Sequence, residues 1–61
     1  MVLTPDELGL WAFLDMYGPS SLERISIAAY QDQTDIKRYM DGLIDKGYAV
    51  FDEKEKLYKL K

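Results

Sequence analysis

Few residue types in this chain could carry reaction chemistry. It has no histidine and no cysteine. That removes the usual general base near neutral pH, the commonest metal ligand and the thiolate nucleophile. Catalysis would fall to Ser, Asp, Glu, Lys or Tyr. Eleven acids allow many pairings, but helix capping and a solvated surface account for them most simply. No enzyme activity and no metal or other cofactor is therefore expected. No glycine-rich phosphate loop occurs, because the four glycines are scattered. What the spacing does bring together is a binding set: Gln33, Thr34, Lys37, Arg38 and Asp41 share the polar face of one helix.

That helix is expected over 32–46. Ile36, Met40, Leu43 and Gly47 recur at i, i+4, i+7 and i+11, one helical face. Asp32 is placed to accept from the free N–H groups of the first turn, and Asp35 adds negative charge where the helix dipole favours it. Lys46 falls in the last turn, and Gly47 can take the left-handed conformation that ends many helices.

Two shorter elements come first. Thr4-Pro5-Asp6-Glu7 is a helix start with a capping box and proline at the first position, opening a helix over 5–17 that stops at Gly18-Pro19. Leu8, Trp11 and Ala12, with Asp15 at the same spacing, mark one face of it. Leu10, Phe13, Leu14 and Tyr17 mark a second. The domain's own core needs one face, which leaves the other either as a candidate contact surface or covered by the Val2-Leu3 arm and the C-terminal strand. Ser20-Ser21-Leu22-Glu23 repeats the capping pattern and opens a helix over 21–29, joined to the third by Tyr30-Gln31.

After Gly47 the period changes. Tyr48, Val50, Tyr58 and Leu60 alternate around the fully charged 52–56, which reads as a β-hairpin with a solvated tip. A C-terminal helix over 52–61 is the competing assignment, since Glu and Lys are good helix formers. The hairpin tip lacks Asn-Gly or Asp-Gly, so its turn type is not readable.

The whole is 61 residues with 48% hydrophobic content, one domain over 1–61 with a thin stability margin. No apolar run approaches the roughly 20 residues of a membrane span, and the N-terminus lacks the basic region of a signal peptide, so a cytoplasmic protein is expected. Net charge is −3, unevenly spread. Residues 1–30 set Asp6, Glu7, Asp15 and Glu23 against Arg24 alone, while 48–61 set Lys54, Lys56, Lys59 and Lys61 against three acids. An acidic whole disfavours strong non-specific binding to nucleic acid but leaves room for a local basic face.

Three short helices followed by a hairpin resemble the winged helix-turn-helix family, MarR-type and ArsR-type regulators among its members. The resemblance spans essentially the whole chain. Ile36 to Tyr48 is its most specific part, similar to the family's recognition helix running through Leu43-x-x-x-Gly47 into the first wing strand. Gly18-Pro19-Ser20-Ser21 resembles the segment between the first two helices, and Leu57 to Leu60 the returning wing strand.

The resemblance implies an α+β winged helix-turn-helix fold: three helices, then a two-stranded antiparallel wing. It also implies a transcriptional regulator that binds double-stranded DNA. Gln33, Thr34, Lys37 and Arg38 would meet base edges and phosphates in the major groove, and Lys54 and Lys56 the flanking backbone. Pairing of two copies through Leu10, Phe13, Leu14 and Tyr17 would strengthen a weak monomer. Two features depart from the pattern. Tyr30 stands where the family's bend has glycine, at about 1 kcal/mol or more if it is left-handed. Asp35 and Asp41 sit among the cations of the reading helix, and Asp35 is placed to hold Arg38 at i, i+3. Because the scaffold serves many roles, a second function stands beside the first. It is a protein-interaction module docking through helix 5–17, with Trp11, Phe13, Tyr17 or Phe51 as anchors.

Overall fold

A computed structural model describes residues 2–61. Helix α1 spans Pro5–Tyr17, α2 Leu22–Ala29 and α3 Gln33–Asp45, followed by strands β1 Ala49–Asp52 and β2 Leu57–Leu60. The strands form one antiparallel pair, giving the expected small α+β fold; residues 52–61 do not continue as a helix.

Local chemistry sets most of the boundaries. At the start of α1 the Glu7 amide donates to Thr4 Oγ1 at 3.2 Å, and the Thr4 amide donates to Glu7 Oε1 at 3.0 Å, closing a reciprocal capping box. Ser21 caps α2 by accepting from the Arg24 amide at 3.1 Å. The expected side-chain cap at Asp32 does not form; only its backbone carbonyl takes part, accepting from the Ile36 amide at 3.1 Å.

Helices α2 and α3 end in the same way with different residues. After α3, Gly47 (φ 85°) turns left-handed, its amide donating to Ile44 O at 3.0 Å and the Tyr48 amide to Leu43 O at 2.9 Å. After α2, Tyr30 (φ 56°) holds the same place: its amide donates to Ile27 O at 3.3 Å and that of Gln31 to Ser26 O at 3.1 Å. Tyr30 thus does occupy the left-handed position where glycine would be unstrained, at roughly 1–2 kcal/mol.

The core is built from Leu10, Leu14, Ile25, Ile36, Met40, Leu43, Ala49 and Tyr58. Ile36, Met40 and Leu43 are wholly buried, as their spacing predicts, and α3 packs against α1, α2 and β1. The phase of the first strand differs from expectation by one residue. Ala49 pairs with Leu60 and Phe51 with Tyr58, so Ala49 and Phe51, not Tyr48 and Val50, share the face of Tyr58 and Leu60. The left-handed turn at Gly47 leaves Tyr48 outside the strand and shifts the alternation by one.

The tip is closed by Asp52, whose side chain accepts from the amides of Lys54 (3.0 Å) and Glu55 (3.2 Å), with Lys56 left-handed at φ 60°. The connection between α1 and α2 also joins the sheet. Ser20 and Tyr58 exchange backbone hydrogen bonds at 2.8 and 2.9 Å, tying β2 to the helices.

One ionic contact locks α1 to α3. Lys46 Nζ donates to Glu7 Oε1, 39 positions away in the chain, and also to Val2 O at 3.3 Å. Gly42 makes room for it, because a Cβ there would overlap Glu7 Oε2. The hydrogen bond from Lys46, followed by that from the Thr4 amide, holds the Glu7 carboxyl below its ordinary pKa.

Candidate nucleic-acid interface

The seam that buries Ile36, Met40 and Leu43 turns the opposite side of α3 outward. Gln33, Thr34, Lys37 and Arg38 are all exposed there. Neither cation stands alone. Lys37 Nζ lies 3.3 Å from Asp41 Oδ2, and Arg38 Nη2 lies 3.3 Å from Asp35 Oδ1 while its guanidinium stacks 5.5 Å from the Tyr39 ring centroid. All four charged side chains are substantially solvated. Each pair is therefore worth about 0.3–0.5 kcal/mol and is readily exchanged for another anion.

Beside this face runs an open groove of about 440 Å³. Its apolar floor is Leu22, Ile44, Phe51 and Tyr58, and Lys37, Asp41 and Lys56 stand along it. Phe51 and Tyr58 meet across the two strands with ring centroids 4.7 Å apart. Burial pushes the Tyr58 phenol above its ordinary pKa; the Asp41 charge adds to this and Lys37 opposes it. The remaining wall is the start of α2, Ser21 to Glu23. The fold thus brings Lys37 and Lys56 to one groove and adds the N-terminal turn of α2. Lys54 is exposed at the hairpin tip and does not line the groove. Sequence reasoning named Phe51 only as a docking anchor and did not place Ser21, Ile44, Phe51 or Tyr58 in this groove. Only the strand register, which pairs Phe51 with Tyr58, would have pointed to the last two.

The four residues expected on a spare apolar face of α1 do not share one. Leu10 and Leu14 lie in the core at 6% and 2% exposure, because this is the side α1 turns to α3 and β2. Phe13 is half-buried and stacks on the exposed Tyr17 with ring centroids 4.8 Å apart. The solvent side of α1 carries Leu8, Ala12 and Met16 instead. Periodicity could not choose between the faces, since α1 is apolar almost all round.

Among the described residues no group of three or more acids is placed to hold a metal ion, and no helix is long and apolar enough to cross a membrane. Comparison with protein-family models, with curated proteins and with solved structures finds no match to this chain.

Proposed function

We propose that this chain is a winged helix-turn-helix protein that binds double-stranded DNA as a transcriptional regulator. The outward face of α3 enters the major groove, and the hairpin and the start of α2 rest on flanking phosphates. One observation carries the reading: Lys37 on α3, Lys56 on the hairpin and the N-terminal turn of α2 all border one groove. A recognition helix needs backbone contacts on either side of it, and helix N-terminal amides favour phosphate. Gln33, Thr34 and Arg38 present amide, hydroxyl and guanidinium groups, the types that pair with base edges.

The acids on α3 limit affinity rather than forbid it. Each must yield its cation to a phosphate, and the net charge of −3 opposes approach. Four basic contacts from one copy give weak binding at physiological salt, with log K falling by about 3–4 per tenfold rise in salt. Fluorescence anisotropy of labelled duplexes across a salt series tests this. Arg38→Ala and Lys56→Ala are expected to weaken binding and flatten the salt slope by about one contact each. If no duplex binds even at low salt, the reading is wrong.

A protein-interaction role is the second reading, and the exposure of Leu8, Met16 and Tyr17 on α1 favours it. With Leu10 and Leu14 inside the core, such a partner would meet the solvent side of α1. A monomer that copurifies with a defined protein and ignores DNA would support this role over the first.

A further inference from the structure

A second concavity lies away from the proposed DNA face. It is a dent of about 300 Å³ between the first half of α1, the end of α2 and the start of α3. Its walls include Pro5, Gly9, Phe13, Ala28, Ala29 and Tyr39. The dent exists because Gly9, Ala28 and Ala29 put little or no side chain into it. Gly9 stands out among these. Inside a helix glycine costs roughly 0.5–1 kcal/mol relative to alanine. At Gly42 the fold requires glycine, because Glu7 occupies the space. At Gly9 an added Cβ would meet nothing within 4 Å, so nothing in the fold calls for a glycine there.

The one charged side chain in the lining of the dent is acidic. Asp6 lines it, no lysine or arginine does, and α1 carries no cation at all. Arg38 stacks on Tyr39 but does not itself line the dent, and its solvated pair with Asp35 only partly offsets its charge. The volume is at the small end for ligand sites and suits a single large side chain rather than a drug-sized molecule. The hairpin tip of a second copy, Glu53 to Lys56, offers lysines but no apolar anchor, and Leu60, which stands between Lys59 and Lys61, is already packed against the core of its own chain.

We propose that the dent beside Gly9 receives one bulky apolar side chain from a lysine- or arginine-flanked segment of a different protein. The anchor fills the space that Gly9, Ala28 and Ala29 leave open, and its flanking cations meet Asp6. This site is separate from the groove bordered by Lys37 and Lys56, so either can fail without the other.

The test is NMR titration of the free protein with an amidated KKWKK peptide, alongside KKAKK and EEWEE. Saturable shifts at Gly9, Phe13 and Ala28 are expected with KKWKK, with both controls at least about tenfold weaker. At Gly9 a Cβ meets nothing within 4 Å, so Gly9→Leu places a side chain at the dent and should abolish these shifts, with circular dichroism checking that the protein remains folded. Asp6→Asn should weaken binding by about threefold. Equal binding of KKAKK, non-saturating shifts spread over the acidic residues, or undiminished binding by Gly9→Leu would overturn the proposal. So would the same resonances moving with protein concentration alone, which would make the occupant a second copy.

Discussion

Two kinds of ion pair meet on α3, and they do opposite things. Lys46 reaches across to Glu7, whose side chain is only 9% exposed, in a space that Gly42 leaves open. Its carboxylate is also held by the Thr4 amide, so no part of that pair can leave without stranding the rest. Lys37–Asp41 and Arg38–Asp35 lie on the solvent face, each within one helical turn and well hydrated. The first pair fixes the angle between α1 and α3. The others lie in solvent and fix no contact between elements. Burial and hydrogen-bond closure, not residue type, separate a structural pair from an exchangeable one.

Both kinds depend on the same seam, so removing the seam should erase the difference. Ile36→Ala is expected to cost about 2–5 kcal/mol, enough to unfold much of a 61-residue domain. Loss of the cooperative thermal transition by circular dichroism would show it.

Breaking only the buried pair comes next. Lys46→Ala strands the Glu7 carboxylate and should lower the melting midpoint by roughly 5–10 °C. Lys37→Ala should leave the midpoint nearly unchanged. Acid should act on the same pair. Because the folded-state pKa of Glu7 lies below 4.5, its contribution is intact above that pH and is lost as pH falls through the lowered value. Glu7→Gln should therefore flatten the acid limb of a stability–pH curve.

The two left-handed helix ends offer a smaller contrast. Gly47 is unstrained and Tyr30 is not, yet Tyr30 is 95% exposed and makes no core contact. Tyr30→Gly should gain about 0.5–1 kcal/mol in urea unfolding, once the extra backbone entropy of glycine is subtracted.

The smallest effect on stability carries the largest functional meaning. Asp41→Asn should change stability by less than about 0.5 kcal/mol while raising duplex affinity, since it releases Lys37 and removes a repelling charge. Unchanged or lower affinity would mean that these cations are not held for phosphate.

These contrasts also mark what could be read from residues alone. The seam of α3 and the box at Thr4 were legible, because period 3.6 and capping chemistry are local. The hairpin was legible as a hairpin, but not its phase, which depends on where Gly47 releases the chain. Helix α1 hid its core side because hydrophobic residues surround it, and only packing against α3 and β2 singles out Leu10 and Leu14. The Glu7–Lys46 lock joins residues far apart in the chain and left no local trace. The cations Lys37 and Lys56 were named individually, but their shared groove is a tertiary fact.

The outward face of α3 as a DNA-reading surface is tested most directly by mapping amide shifts during titration with mixed-sequence duplex at low salt. Shifts concentrated at 21–23, 33–41 and 54–56 are predicted. Shifts nowhere at low salt, or confined to the solvent side of α1, would contradict it.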